Sequence, residues 1–210
     1  MRLLATAVLS LVALGCSRRP APVTAPASSV LEPAEAEVLR VVADSVYLRT
    51  LDHTVAVISR TVDTVCAVPT SACASAGARF GLDPVWWAEG DTITALFMRD
   101  DLLRQSAVPV QLDETLAPDD RLPPATTHEI GEILSGPNGW PAFRSRYGAV
   151  GYLRFSRVGF SPDRRRALVY VEWECGPTCG HHLAVSLRRE DEGAWGISDA
   201  LLLSSRRGGR

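Results

Sequence analysis

The strongest pattern in the chain is an alternation in its last third. Between positions 167 and 187, apolar side chains recur at every second residue on both sides of Cys175-Gly176-Pro177-Thr178-Cys179, the period of two strands joined by a tight turn. If Cys175 lies opposite Cys179 across a three-residue loop, the ladder sets Trp173 against His181, Val171 against Leu183, Val169 against Val185 and Ala167 against Leu187. Those side chains share one face and are nearly all apolar. The other face pairs Glu172 with His182, Tyr170 with Ala184 and Leu168 with Ser186, and it is the more polar of the two. A slip by one residue would send the apolar set to the wrong side, so the pattern selects one register. In that register His181 points into the core beside Trp173, and His182 turns outward toward Glu172.

The same reading extends to an antiparallel meander of four strands, 152–160, 167–175, 181–188 and 195–203. They are separated by turns at Ser161-Pro162-Asp163, Gly176-Pro177-Thr178 and Asp191-Glu192-Gly193. Residues 204–210 read as a frayed tail. Upstream the period changes. Pro33 and early acids followed by Val38, Val42 and Val46 predict a helix, and the β-branched run 54–62 predicts a strand. Residues 63–81 read as a loop. Asp91 is a plausible N-cap for a helix carrying Leu96, Phe97, Leu102 and Leu103. Thr126 and Glu129 fit a capping box opening a short helix through Leu134, and 140–147 forms an aromatic-rich turn or short helix. The expected fold class is α+β: N-terminal helices and one strand packed with a C-terminal four-stranded antiparallel meander.

The first residues carry an address rather than a fold. Arg2, an apolar run from Leu3 to Leu14 and then Gly15-Cys16 have the layout of an export signal, and the run is too short to span a bilayer. Val12-Ala13-Leu14-Gly15-Cys16 resembles the lipobox of bacterial lipoproteins. That resemblance implies a signal peptide over 1–15, lipidation at Cys16 and a membrane partner reached through the lipid. Ser17 directly after the cysteine is compatible with the periplasmic side of the outer membrane. Residues 16–33, rich in Pro, Ala and Ser and free of aromatics, cannot bury enough surface to order themselves. They read as a tether, reaching roughly 50 Å if extended at about 3.1 Å per residue. Residues 34–210 then form a single globular domain.

Composition narrows the chemistry. Net charge is −2, so no basic excess attracts nucleic acid. All 22 basic residues are arginine, which removes lysine Schiff-base and lysine general-base mechanisms. With Cys16 assigned to lipid, Cys66 and Cys73, and Cys175 and Cys179, form two pairs close in sequence, the pattern of disulfides in an exported chain. Each such short loop is worth only about 2 kcal/mol in the entropy model. The alternative is a metal site at Cys175, Cys179 and His181. Strand parity sends His182 to the opposite face, so a fourth ligand would have to come from His53 or His128. Cys-x-x-x-Cys is also one residue longer than the dithiol spacing of thioredoxin-like proteins.

Other candidate chemistry is thinner. No Gly-x-Ser-x-Gly elbow supports a serine hydrolase. The acid runs Asp100-Asp101, Asp119-Asp120 and Glu190-Asp191-Glu192 fit solvated turns and helix faces. Arg164-Arg165-Arg166 could contact anionic lipid or a cell-surface polymer, or simply solubilise a turn. Trp140, Phe143 and Tyr147 could line a ligand groove, although large aromatics beside a sheet are usually core.

Gly139-Trp140, Phe143 and Tyr147 come first in order. They are followed by Ser156-Arg157-Val158-Gly159-Phe160, Ala167-Leu168-Val169-Tyr170-Val171, Cys175-Gly176-Pro177-Thr178-Cys179-Gly180 and Trp195. This succession resembles a group of uncharacterised exported bacterial proteins. The chain departs from the group at His181-His182, where the group carries glycine and an aromatic or apolar residue. The resemblance implies a shared domain and no activity. The expectation is a non-enzymatic, lipid-anchored envelope protein, structural or bound to an envelope protein or polymer, without a cofactor. A metal-binding or thiol-redox protein using the Cys175/Cys179 turn is the alternative, and an envelope hydrolase is a third reading.

Overall fold

A computed structural model describes residues 30–48, 56–59, 91–108, 110–112 and 123–207. Helix α1 (Pro33–Val42) opens with a capping box in which Glu35 accepts from the Glu32 amide at 3.0 Å, and it runs into a π-helical turn, Ala43–Leu48. Strand β1 (Ala56–Ser59) and helix α2 (Thr92–Ser106) follow. The Asp91 carboxylate caps α2 by accepting from the Thr94 amide at 3.1 Å, which is the main reason its pKa lies below the ordinary carboxylate value. After β2 (Pro124–Ala125), the Thr126/Glu129 capping box opens α3 (Thr127–Ser135), and α4 (Gly139–Tyr147) ends at Gly148 in the left-handed conformation. Strands β3 (Gly151–Phe155), β4 (Gly159–Phe160), β5 (Arg166–Gly176), β6 (Cys179–Arg189) and β7 (Trp195–Arg207) complete the chain.

The architecture is α+β. One sheet runs in the order β2-β1-β3-β5-β6-β7, with β4 also on β5. Its C-terminal part is the antiparallel meander, while β1 pairs in parallel with both β2 and β3. Both faces are covered. On one, α1 and the π-helical turn bury Val38, Leu39, Val42 and Tyr47 against Leu153, Val169, Val171, Trp173 and Val185. On the other, Ala95, Met98 and Leu102 of α2 cover Leu168, Tyr170, Ala184 and Leu203, and α3 and α4 close over Tyr152 through Ile130 and Phe143. A strand buried on both sides needs apolar residues at consecutive positions. That is why 167–171 reads Ala-Leu-Val-Tyr-Val without a polar break.

The predicted strand 152–160 is interrupted. Phe155 faces Val171, but Gly159 faces Leu168, so three residues oppose two and the strand carries a bulge. The bulge exchanges the parity of the strand: Leu153 and Phe155 reach the α1 core before it, and Val158 and Phe160 after it. Irregularities at Ser198 and Leu203 do the same for β7. Trp195 and Ile197 therefore pack with the α1 cluster, and Leu201 and Leu203 with the α2 cluster. The tail expected to fray from Ser204 is instead strand as far as Arg207. Cys179 to His182 extend far enough to need a partner, and Ser204, Ser205, Arg206 and Arg207 supply it.

At the bulge Arg157 turns into the core and has no exposed surface. Its Nε and Nη2 donate to the two carboxylate oxygens of Glu35 at 2.8 and 2.6 Å, and Nη1 and Nη2 reach the carbonyls of Val108 and Val30 at 3.3 and 3.4 Å. Glu35 also accepts from the Val158 amide at 3.3 Å. Ser156 closes the gap in the ladder, its hydroxyl accepting from the Tyr170 amide at 3.0 Å. Gly159 is required because α2 crosses it: a Cβ there would stand 2.7 Å from Leu102 and run into the Met98 carbonyl. The Ser156 to Phe160 motif is therefore a junction for two helices.

Breaking the pair from one side leaves a buried charge uncompensated. Arg157→Met or Glu35→Leu alone is expected to lower unfolding free energy by about 3–5 kcal/mol, and the double variant to recover most of it. Urea denaturation of the four proteins checks this. Additive losses would mean that the two side chains do not act as a pair.

Candidate functional site

The hairpin β5–β6 brings together most of the chemistry picked out in the sequence. From Arg166↔Arg188 to Glu174↔Gly180 its register is the one expected, including Trp173↔His181 and Glu172↔His182. The tip differs. Gly176 pairs with Cys179, leaving Pro177 and Thr178 as a two-residue turn, and the register shifts at Cys175. Cys175 and Cys179 are joined by a disulfide with Cα atoms 5.1 Å apart, within the range such a bond requires. Cys179 is exposed and Cys175 half-buried against the α1 core.

On the α1 face, Tyr47 of the π-helical turn reaches under this tip. Its ring stacks on His181 with centroids 5.9 Å apart and lies 5.7 Å from Trp173. The Tyr47 hydroxyl is 3.5 Å from His181 Nε2. Burial raises the Tyr47 pKa far above the ordinary phenol value and depresses that of His181. The candidate ligand set Cys175, Cys179 and His181 thus consists of two bonded sulfurs and a ring nitrogen facing a phenol. Among the described residues no group of three or more His, Cys, Asp or Glu is arranged to hold a metal ion.

The opposite face carries a polar network. His182 Nδ1 lies 3.1 Å from the Tyr170 hydroxyl and Nε2 3.4 Å from Glu174 Oε1. Tyr170 also reaches Glu172 Oε1 at 3.2 Å, Arg154 pairs with Glu172 at 3.3 Å, and Arg206 of β7 pairs with Glu174. Glu174 accepts the proton on Nε2, so a neutral ring presents Nδ1 as an acceptor. The single Tyr170 proton then serves either Nδ1 or Glu172. Burial, then the Glu172 charge, holds that phenol protonated.

His182 is therefore not the outward residue the alternation implied. It is 7% exposed, whereas His181 is half-buried. The alternation placed both rings on their correct faces. It could not show that α2 and β7 cover the second face as well.

The remaining candidates are spread over the fold. Phe143 has no exposed surface and packs with Tyr147, Trp140 and Tyr152, Trp140 stacking on Tyr152 at 6.0 Å. The open depression on α4 is lined by other residues, Asn138, Pro141, Ala142, Ser145 and Arg146. Arg164, Arg165 and Arg166 pair with Glu32, Asp191 and Asp91 respectively. His128 lies exposed on α3, 3.5 Å from Glu132, and Asp101 accepts from the Phe160 amide at 2.9 Å. Cys16, Cys66, Cys73 and His53 lie outside the described residues, as do the signal peptide and most of the tether. The Arg157–Glu35 pair was missed, because Glu35 and Arg157 look separately like a helix-cap acid and a strand polar residue. The one available signal is an arginine next to Val158 in the otherwise apolar-flanked run Phe155-Ser156-Arg157-Val158.

No protein family, curated protein or solved structure matches this chain.

Two predictions follow from the rings. His182→Ala removes the buried ring that Glu174 and Tyr170 share and is expected to cost about 1–3 kcal/mol, more than His181→Ala; equal urea midpoints would refute the network. His181, whose pKa burial holds below the ordinary imidazole value of 6.5, binds its proton more weakly in the folded state. Its contribution to stability is complete above that value and is lost as pH falls through the folded pKa. His181→Gln should remove that part of the acid slope in urea midpoints taken from pH 8 to about pH 5.

Proposed function

We propose that this chain is a lipid-anchored protein of the bacterial cell envelope, whose α+β domain is a structural or partner-binding unit rather than an enzyme. The observation that carries the reading is Val12-Ala13-Leu14-Gly15-Cys16 after an apolar run, followed by a Pro/Ala/Ser-rich segment. Cys16 takes the lipid, 16–33 acts as a tether and the periplasmic side of the outer membrane is the destination. The bridged Cys175–Cys179 pair fits an exported chain, since such bonds persist outside the reducing cytosol. The non-enzymatic part rests on what the conspicuous side chains do. Arg157 and Glu35 join two elements, and His182, Glu174 and Tyr170 satisfy one another within the sheet. The partner is an envelope protein or polymer.

Expression of the full chain in a Gram-negative host tests the anchor. The protein should enter the detergent phase, fractionate with the outer membrane and carry the mass of acyl groups on its first mature residue. Cys16→Ser should move it out of the lipid-modified fraction. Identical fractionation and an unacylated terminus in both proteins would overturn the reading.

A further inference from the structure

We propose that the Cys175–Cys179 bridge is a thiol–disulfide exchange site, a labile bond that accepts an electron pair from a dithiol protein rather than a staple that maintains the fold. The inference depends only on the hairpin and stands whether or not Cys16 carries lipid.

Three features of the tip support it. The first is redundancy. Below the bridge, β5 and β6 pair continuously from Arg166↔Arg188 to Glu174↔Gly180, and β7 pairs with β6 on its other side from Arg189↔Trp195 up to Cys179↔Arg207. The bond closes a turn that these ladders already hold. The second is asymmetric access. Pro177, Thr178 and Cys179 are exposed, whereas Cys175 is half-buried against the core and sits where the register shifts. An incoming thiolate therefore meets Cys179 first, and Cys175 is the leaving sulfur. Exposed bridges of this kind are the more easily reduced ones. The third is the surroundings of that leaving sulfur. The Arg144 guanidinium of α4 donates to the Cys175 carbonyl at 3.3 Å, which puts a cation on the backbone of the residue that leaves as a thiolate.

The exchange balances without a further co-reactant. A thiolate of the dithiol partner attacks Cys179 Sγ, the sulfur–sulfur bond breaks and Cys175 leaves as a thiolate. The partner's second thiol, once deprotonated, attacks its own sulfur in the mixed disulfide and releases the Cys179 thiolate. Two protons, one from each partner thiol, end on Cys175 and Cys179. The partner is oxidised to its disulfide and this chain is reduced to two thiols.

The test uses the full chain purified in detergent. Cleavage after Arg166 and Arg188 isolates both cysteines on one peptide, separate from Cys66 and Cys73. Differential alkylation and peptide mass spectrometry then read this bridge alone. In a glutathione buffer at neutral pH, the bridge should exchange within minutes while the circular dichroism spectrum stays native. With oxidised glutathione, Cys175→Ser should capture glutathione on Cys179 several-fold faster than Cys179→Ser captures it on Cys175. Arg144→Ala should slow exchange several-fold at an unchanged thermal midpoint. A bridge that opens only when denaturant unfolds the chain would overturn the proposal. So would a Cys175→Ser, Cys179→Ser double variant that melts far below the parent, since the bond would then be structural.

Discussion

The buried pair between Arg157 and Glu35 is the constraint on which the rest of the structure depends. It spans 122 residues of sequence and joins the first turn of α1 to the bulge between β3 and β4. Two charges with almost no exposure are costly to desolvate, and only the bidentate geometry with its added backbone donors offsets that cost. Among the described residues no other ion pair has both side chains so fully buried. The pair therefore specifies where α1 lies on the sheet more sharply than the apolar contacts around it, which tolerate sliding. The capping box of α1 shares the same carboxylate through the Glu32 amide, so the helix start and its docking position are one feature.

The bulge that delivers Arg157 also solves a packing problem. A sheet covered on both faces needs apolar residues on both, yet each covering helix presents a different set of positions. The parity change in β3–β4 keeps its apolar side chains on the α1 layer across the break, whereas β7 turns Trp195 and Ile197 to the α1 layer and Leu201 and Leu203 to the α2 layer. Gly159 is the point of closest approach, where α2 lies directly on the backbone, and the Asp101 carboxylate satisfies the Phe160 amide there.

The hairpin tip has a different character from this interior. Its aromatic groups meet in two pairs, Tyr47 stacked on His181 on one side and Tyr170 edge-on to His182 on the other, separated by the thickness of the sheet. In each pair the histidine ring nitrogen meets a tyrosine hydroxyl, which gives both adjacent histidines a partner on their own face. Beyond them the chain is held by a covalent bond at an exposed turn. Pro177, Thr178 and Cys179 are exposed at that tip.

Sequence by itself determined the elements that depend on local physics. Period-two alternation is imposed by the pleat, so the β5–β6 register was legible from Glu174 downward. Capping at Asp91 and Thr126 depends only on the neighbouring three residues, and both caps were readable. The α+β class followed from those elements. What only the tertiary structure decided were quantities that involve distant partners. These include the parallel pairing of β1, the bulge at Ser156 to Val158, the extension of β7 through Arg207 and the burial of His182. The role of Arg157 belongs with them, because a charge is read as exposed until its partner, 122 positions away, comes into contact. Alternation reports which face a side chain occupies. Whether that face meets water or a helix is settled by packing, and packing is a property of the whole chain.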